Sequence, residues 1–145
     1  MSLFKKISLL IVATIALSCL SAQAADFVEK KIVLQVSDKA SHTKVLNVAG
    51  NLIKHYGKDQ VKIEVVAFGP GLGALVDSKK NKNLKRVTSL AGEGVSFSAC
   101  GNTVGKLTKK NNGKAPKLHA KANVVPAGVI RILELQEQGY SLIRP

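Results

Sequence analysis

The stretch Val95–Lys106, VSFSACGNTVGK, decides how the rest of the chain is read. Val95 to Ala99 are apolar or small and suit a short buried strand, and Cys100-Gly101-Asn102-Thr103 follows directly. Gly101 permits a sharp bend, and Asn102 or Thr103 can cap a helix continuing through Val104, Lys106 and Leu107. The cysteine then lies at a strand-to-helix junction, beside a helix N-terminus. Unpaired N–H groups and the positive dipole end favour thiolate over thiol there, and thiolate is the reactive form. Two readings follow: a nucleophilic or sulfur-carrying cysteine, or a small, inert, buried residue ending a strand.

Upstream of this stretch, the chain of 145 residues has room for one domain. Residues 1–25 read as a secretory signal peptide, leaving 26–145 as that domain. Lys5 and Lys6 precede the apolar run Ile7–Leu20, and Ala22 and Ala24 make an A-x-A site, so cleavage is expected after Ala24 or Ala25. The expected address is the periplasm. A lipoprotein signal with Cys19 lipidated is the lesser alternative, because Ala16 stands where a larger aliphatic residue is usual. Removing the leader takes Lys5 and Lys6 but none of the nine acidic residues, so the formal charge falls from +13 to +11. Cys19 also goes, and Cys100 becomes the single cysteine. An intrachain disulfide is then excluded in an oxidising compartment, so the thiol must be buried, modified, paired with another chain, or used.

Around the cysteine strand the pattern alternates between strand and helix. Lys30–Val36 is apolar toward its middle, as a parallel strand under helices is. Val45, Val48, Ala49, Leu52, Ile53 and Tyr56 recur at helical spacing, with caps in Ser37–Ser41 before them and Gly57 after. Val61–Phe68 is a second strand, followed by a short helix from about Leu72 to Asp77. Leu84, Val87, Leu90 and Ala91 mark another helix, closed by Gly92. Beyond the cysteine segment, Lys109–Lys121 is a lysine-rich, mobile loop. Asn123–Val125 is a fourth strand, Pro126 starts a helix, and Tyr140–Ile143 is a fifth strand. In the last helix Val129, Ile130 and Leu133 are expected to cover the sheet, with Ile132 and Leu135 pointing away toward a subunit contact. The alternation predicts an α/β fold, a five-stranded mainly parallel sheet in a three-layer α/β/α sandwich. Its strand-to-helix loops meet at one edge, where such folds bind ligands. Cys100, Gly69–Gly73 and Asp38–His42 all belong to that edge.

Other chemistries find little support in the residues. Gly69-Pro70-Gly71-Leu72-Gly73-Ala74 matches G-x-G-x-x-A formally, but Pro70 lacks an N–H and no acidic residue ends the next strand. A tight turn is the plain reading of Gly69, Gly71 and Gly73. A small anion held by their free N–H groups beside Cys100 is the functional one. His42 falls at the same edge, either solvated or assisting Cys100 as a base. His55 and His119 are scattered, no spacing fits a metal site, and neither metal nor cofactor is expected. The basic charge is solubilising or draws weak contact with an anionic membrane surface. Nucleic acid is not an expected partner, because the five mature-chain aromatics Phe27, Tyr56, Phe68, Phe97 and Tyr140 form no stacking platform.

Three segments, VVAFGPG (Val65–Gly71), GVSFSACGNT (Gly94–Thr103) and VVPAGVIRILELQEQGYSLIRP (Val124–Pro145), resemble the exported branch of the DsrE/DsrF-like, or YchN-like, family. The likeness runs over about Lys31–Pro145. It implies the same α/β/α fold, a trimer or hexamer, and a sulfur donor or acceptor protein as partner. It also implies that Cys100 takes sulfane sulfur as a persulfide; Gly101, Asn102 and Thr103 are its supporting residues by the local reading of bend and caps. Such a protein is a sulfur carrier more than an enzyme. Two departures stand out: relatives of this type work in the cytoplasm, and Gly101-Asn102-Thr103 differs from the small, apolar helix start that follows their relay cysteine. The reading from another class is a non-catalytic oligomeric interaction protein of the cell envelope with a basic surface.

Overall fold

A computed structural model describes residues 29–145; the expected leader, its cleavage site and Cys19 lie outside them. Strands β1 (Lys30–Val36), β2 (Val61–Ala67), β3 (Ser96–Cys100), β4 (Ala122–Val125) and β5 (Ser141–Ile143) build one sheet in the order β4-β3-β2-β1-β5. Every pairing in it is parallel. The connections are α1 (Ser41–Tyr56), a 3-10 helix (Gly69–Leu75), α2 (Leu84–Gly92), α3 (Gly101–Lys110) and α4 (Gly128–Glu137). The chain steps from β1 to β4 in one direction and returns past β1 to β5. Right-handed crossovers therefore put α4 alone on one face and the other helices on the opposite face. The protein is an α/β sandwich of the expected class.

The two faces are unequal. On the crowded one, Leu34, Val36, Val65 and Phe97 pack with Val45, Leu46 and Ala49 of α1, Leu72 and Leu75 of the 3-10 helix, and Val87 and Leu90 of α2. On the other, Val33 and Val66 meet only Ile132 and Leu135 of α4, with Phe68, Tyr140 and Leu142 at the margin. A polar clamp reinforces this thin contact. Glu64, in the middle of β2 and 5% exposed, accepts from Arg131 Nε at 2.7 Å and Arg131 Nη2 at 2.8 Å. The Ser98 hydroxyl of β3 donates to the same carboxylate at 2.6 Å. Two parallel N–H bonds from a guanidinium are the strongest form of such a pair, and they leave no lone charge under the helix.

The clamp sets the rotation of α4 and reverses the expected faces. Ile132 and Leu135 are 5% and 1% exposed, whereas Val129, Ile130 and Leu133 are 55%, 53% and 50% exposed. Gly128, Arg131, Ile132 and Leu135 form one helical stripe, and once Arg131 reaches Glu64 that stripe must face the sheet. Pro126 is not at the helix start; Ala127, in extended conformation, precedes the first residue, Gly128. The turn after β2 coils at once into the 3-10 helix rather than waiting until Leu72. Lys109 and Lys110 belong to the last turn of α3, where cations suit the dipole. The lysine-rich loop beyond is pinned, since Leu118 bridges Val76, the Asp77 N–H donates to the Lys117 carbonyl at 2.7 Å, and the His119 N–H donates to the Leu75 carbonyl at 2.8 Å.

Arg131→Ala leaves the Glu64 carboxylate with the Ser98 hydroxyl alone and is expected to cost about 3 kcal/mol, as one-sided breaks of buried pairs do. Arg131→Lys keeps the charge without the fork and costs less. Urea unfolding followed by circular dichroism measures both; wild-type stability in Arg131→Ala would contradict this account of how α4 is held.

Candidate functional site

Cys100 is the last residue of β3 and itself the N-cap of α3, so the helix begins at Gly101 rather than behind a cap at Asn102 or Thr103. Strand alternation sends Phe97 and Ala99 into the crowded face and turns Cys100 toward α4. The thiol is 6% exposed. Burial, the largest influence, pushes its pKa up; the Gly128 N–H, the Thr103 hydroxyl and the N–H groups of Thr103 and Asn102 pull it down further, so the thiol lies below its ordinary value. These donors come from the first turns of two helices, α3 and α4, which converge on one sulfur. No charged side chain is among them, so the depression is built from aligned dipoles.

Small residues make that convergence possible. A Cβ on Gly128 would stand 3.3 Å from the Cys100 Cβ, 3.1 Å from Phe68 Cδ1 and 3.2 Å from Phe68 Cβ. A Cβ on Gly101 would stand 2.9 Å from the Val125 carbonyl oxygen and 3.2 Å from that of Pro126. Gly101 thus serves close approach of the β4–α4 connection, where the sequence suggested a bend. The Asn102 N–H donates to the Pro126 carbonyl at 3.3 Å and ties the two helix starts together. The Gly69 N–H donates to the Thr103 hydroxyl oxygen at 2.9 Å, which leaves the hydroxyl proton for the sulfur. Beside the site, Gly101, Asn102, Gly105, Lys106 and Lys109 line an open groove of about 370 Å³.

Two sequence-derived expectations place their residues elsewhere. The Gly69 N–H is spent on Thr103, and the Gly71 N–H donates to the Phe68 carbonyl at 3.0 Å. A Cβ on Gly71 would overlap the Val36 carbonyl, so this loop closes on β1 and does not cradle an anion. Gly73 lies under the His42 ring. His42 Nε2 donates to the Pro70 carbonyl at 3.1 Å, and His42 is not among the groups that act on the Cys100 thiol. Among the described residues no cluster of three or more His, Cys, Asp or Glu is placed to hold a metal ion. Gly128 was missed because its role depends on a helix from the far end of the chain. Glu64 and Arg131 did carry a signal: each is a lone charge inside an apolar run, IEVVAF and VIRIL.

A thiol whose folded pKa is depressed adds stability fully above the unfolded value and loses it as pH falls through the folded one. Its alkylation rate should rise with pH through a midpoint below that of a free cysteine. Thr103→Val moves the midpoint up and Thr103→Ser leaves it near wild type, as iodoacetamide labelling read by mass would record. A wild-type midpoint at about 8.5 or higher would mean that burial outweighs the donors.

No family model matches the chain, and no curated protein matches it. Among solved structures it is similar to that of MTH1491, a protein of unknown function from Methanobacterium thermoautotrophicum. The two share 28% identity at a TM-score of 0.64, over 80% of this chain and 99% of that one.

Proposed function

We propose that the protein carries sulfane sulfur as a persulfide on Cys100. The observation that supports this most is the meeting of two helix N-termini on one buried sulfur that is held toward thiolate without a neighbouring cation or base. A sulfur carrier needs a stabilised anion and little else, since the sulfur arrives and leaves by exchange. With thiosulfate as donor, the Cys100 thiolate attacks the outer sulfur, the S–S bond breaks, and sulfite departs with the electron pair. The Gly128 N–H and the Thr103 hydroxyl are suited to hold the negative charge of the resulting Cys–S–S⁻ group. The resemblance to DsrE/DsrF-like proteins points to the same cysteine, and the leader-like N-terminus to a periplasmic address. Among the described residues the groups that act on the thiol include no general acid or base, which favours a carrier over an enzyme.

A second reading rests on α4. Val124, Val129, Ile130 and Leu133 are exposed at 59%, 55%, 53% and 50%. Residues 122–145 contain no lysine, and Arg131 and Arg144 balance Glu134 and Glu137. Copies of a strongly basic chain repel each other, so a neutral apolar face is where a second copy can approach. We propose that α4 forms a contact between subunits of a trimer or hexamer, close to the Cys100 opening.

Incubating the purified protein with thiosulfate or polysulfide should add the mass of sulfur to wild type and none to Cys100→Ser; equal masses would end the carrier reading. For assembly, sedimentation velocity at micromolar concentration should give an oligomer that Ile130→Lys with Leu133→Lys converts to a folded monomer. A wild-type monomer would refute the contact. Ile132→Lys is unsuitable as a probe, because Ile132 is core.

A further inference from the structure

A second groove, of about 610 Å³, lies away from Cys100, where the chain leaves β1 and β2. The start of α1 supplies Lys39, His42 and Thr43 to one wall, and the connection before α2 supplies Lys80, Asn81 and Lys82 to the other. The second wall is anchored. Asn81 Nδ2 lies within bonding distance of the Gly73, Ala74 and Val76 carbonyls at 3.1, 3.0 and 2.9 Å, and Asn81 Oδ1 accepts the Asn83 N–H at 3.0 Å. One side chain therefore fixes the connection that carries Lys80 and Lys82 against the end of the 3-10 helix. The His42 ring rests on Gly73, where a Cβ would stand 2.8 Å away, and this keeps the floor low.

The charge in this groove is unbalanced. No carboxylate lines it. Asp38, close enough to His42 to feel its charge, keeps its own but turns its oxygens to the Ser41 N–H at 2.9 Å and hydroxyl at 3.1 Å. Asp77 pairs with Lys117 at 2.8 Å, so three lysines face one unpaired carboxylate at the rim. Among the described residues Lys39, Lys80 and Lys82 form no ion pair. Three exposed lysines from two separate segments line one groove, and a ligand that reaches both segments uses their charge best when it carries several linked negative charges. The volume is that of a small-molecule site. We infer that this groove binds a small organic anion bearing two linked phosphate groups, gripped by Lys39 on one side and Lys80 and Lys82 on the other. The inference is independent of any sulfur chemistry at Cys100.

Titrating ¹⁵N-labelled protein with sodium pyrophosphate at constant ionic strength tests it by amide shifts. Saturable shifts are expected at Lys39–Thr43, Gly73 and Ser78–Asn83. The triple variant Lys39→Gln, Lys80→Gln, Lys82→Gln should weaken binding at least about tenfold. The control triple Lys54→Gln, Lys58→Gln, Lys121→Gln, which removes the same charge from exposed positions outside the grooves, should leave it within about twofold. Absent or non-saturating shifts, or equal losses in the two variants, would reduce the groove to part of a diffuse basic surface and overturn the assignment.

Discussion

The fork between Arg131 and Glu64 is the interaction on which the uneven sandwich depends. One face of the sheet is covered by four helical segments and a broad apolar core, while the other has α4 alone, seated on two valines. Two buried side chains, Ile132 and Leu135, are a slim hydrophobic hold for a ten-residue helix. The guanidinium adds direction to that hold. Apolar contact tolerates rotation of the helix about its axis, whereas a two-pronged bond to one carboxylate does not. Fixing Arg131 fixes Gly128 one turn earlier on the same stripe, and Gly128 is the residue whose N–H reaches Cys100. A bond in the middle of the sheet thereby orients a donor at its edge.

The character of the thiol follows from this arrangement. Burial alone would hold Cys100 as a neutral, inert residue, and burial is the largest influence upon it. Four backbone and hydroxyl donors from two helix starts reverse the balance. Dipoles of this kind are oriented by the fold and excluded from bulk water, so salt screens them little. The glycines at 101 and 128 contribute by having no side chain, which lets two helix starts approach the same sulfur. A single methyl group at either position would crowd the two helix starts and weaken the Gly128 contribution, leaving the α3 donors alone to oppose burial.

The alternation of apolar strands and amphipathic helices was plain in the sequence, and so was the strand-end cysteine, because both are local patterns of two to four residues' period. The parallel sheet and the placement of Cys100 at its loop edge followed from them. The rotation of α4 was not legible: Val129, Ile130, Ile132, Leu133 and Leu135 are apolar on nearly all sides, and periodicity cannot choose a face when every face qualifies. The choice came from a charge pair 67 residues apart. His42 was misplaced for a related reason. Sharing an edge with Cys100 in a topological scheme carries no distance, and the ring found a nearer partner in the Pro70 carbonyl. The glycine loop is the tight strand-to-helix turn of its plain reading, and the anion alternative stood beside it because sequence does not reveal where each N–H donates.

Charge is distributed as unevenly as packing. The nineteen lysines all precede residue 122, while the segment from there to Pro145 holds two arginines and two glutamates. That segment forms one edge strand of each flank and the whole of the thin face. Among the described lysines, Lys39, Lys80 and Lys82 line the groove between α1 and the connection before α2, while Lys31 and Lys62 alternate onto the α4 side, where Lys31 Nζ donates to the Gln138 carbonyl at 3.3 Å and Lys62 pairs with Glu29 at 2.8 Å. Repulsion among like charges is weakest along α4 itself, where Arg131 stands against Glu134 and Glu137, so close protein contact costs least there, while the basic groove favours small anions. Cys100 lies under the first turn of α4, at the start of a helix whose second half carries Lys106, Lys109 and Lys110. The pKa of that thiol is depressed by dipoles and not by those lysines, so local charge and the state of the sulfur are set by different groups.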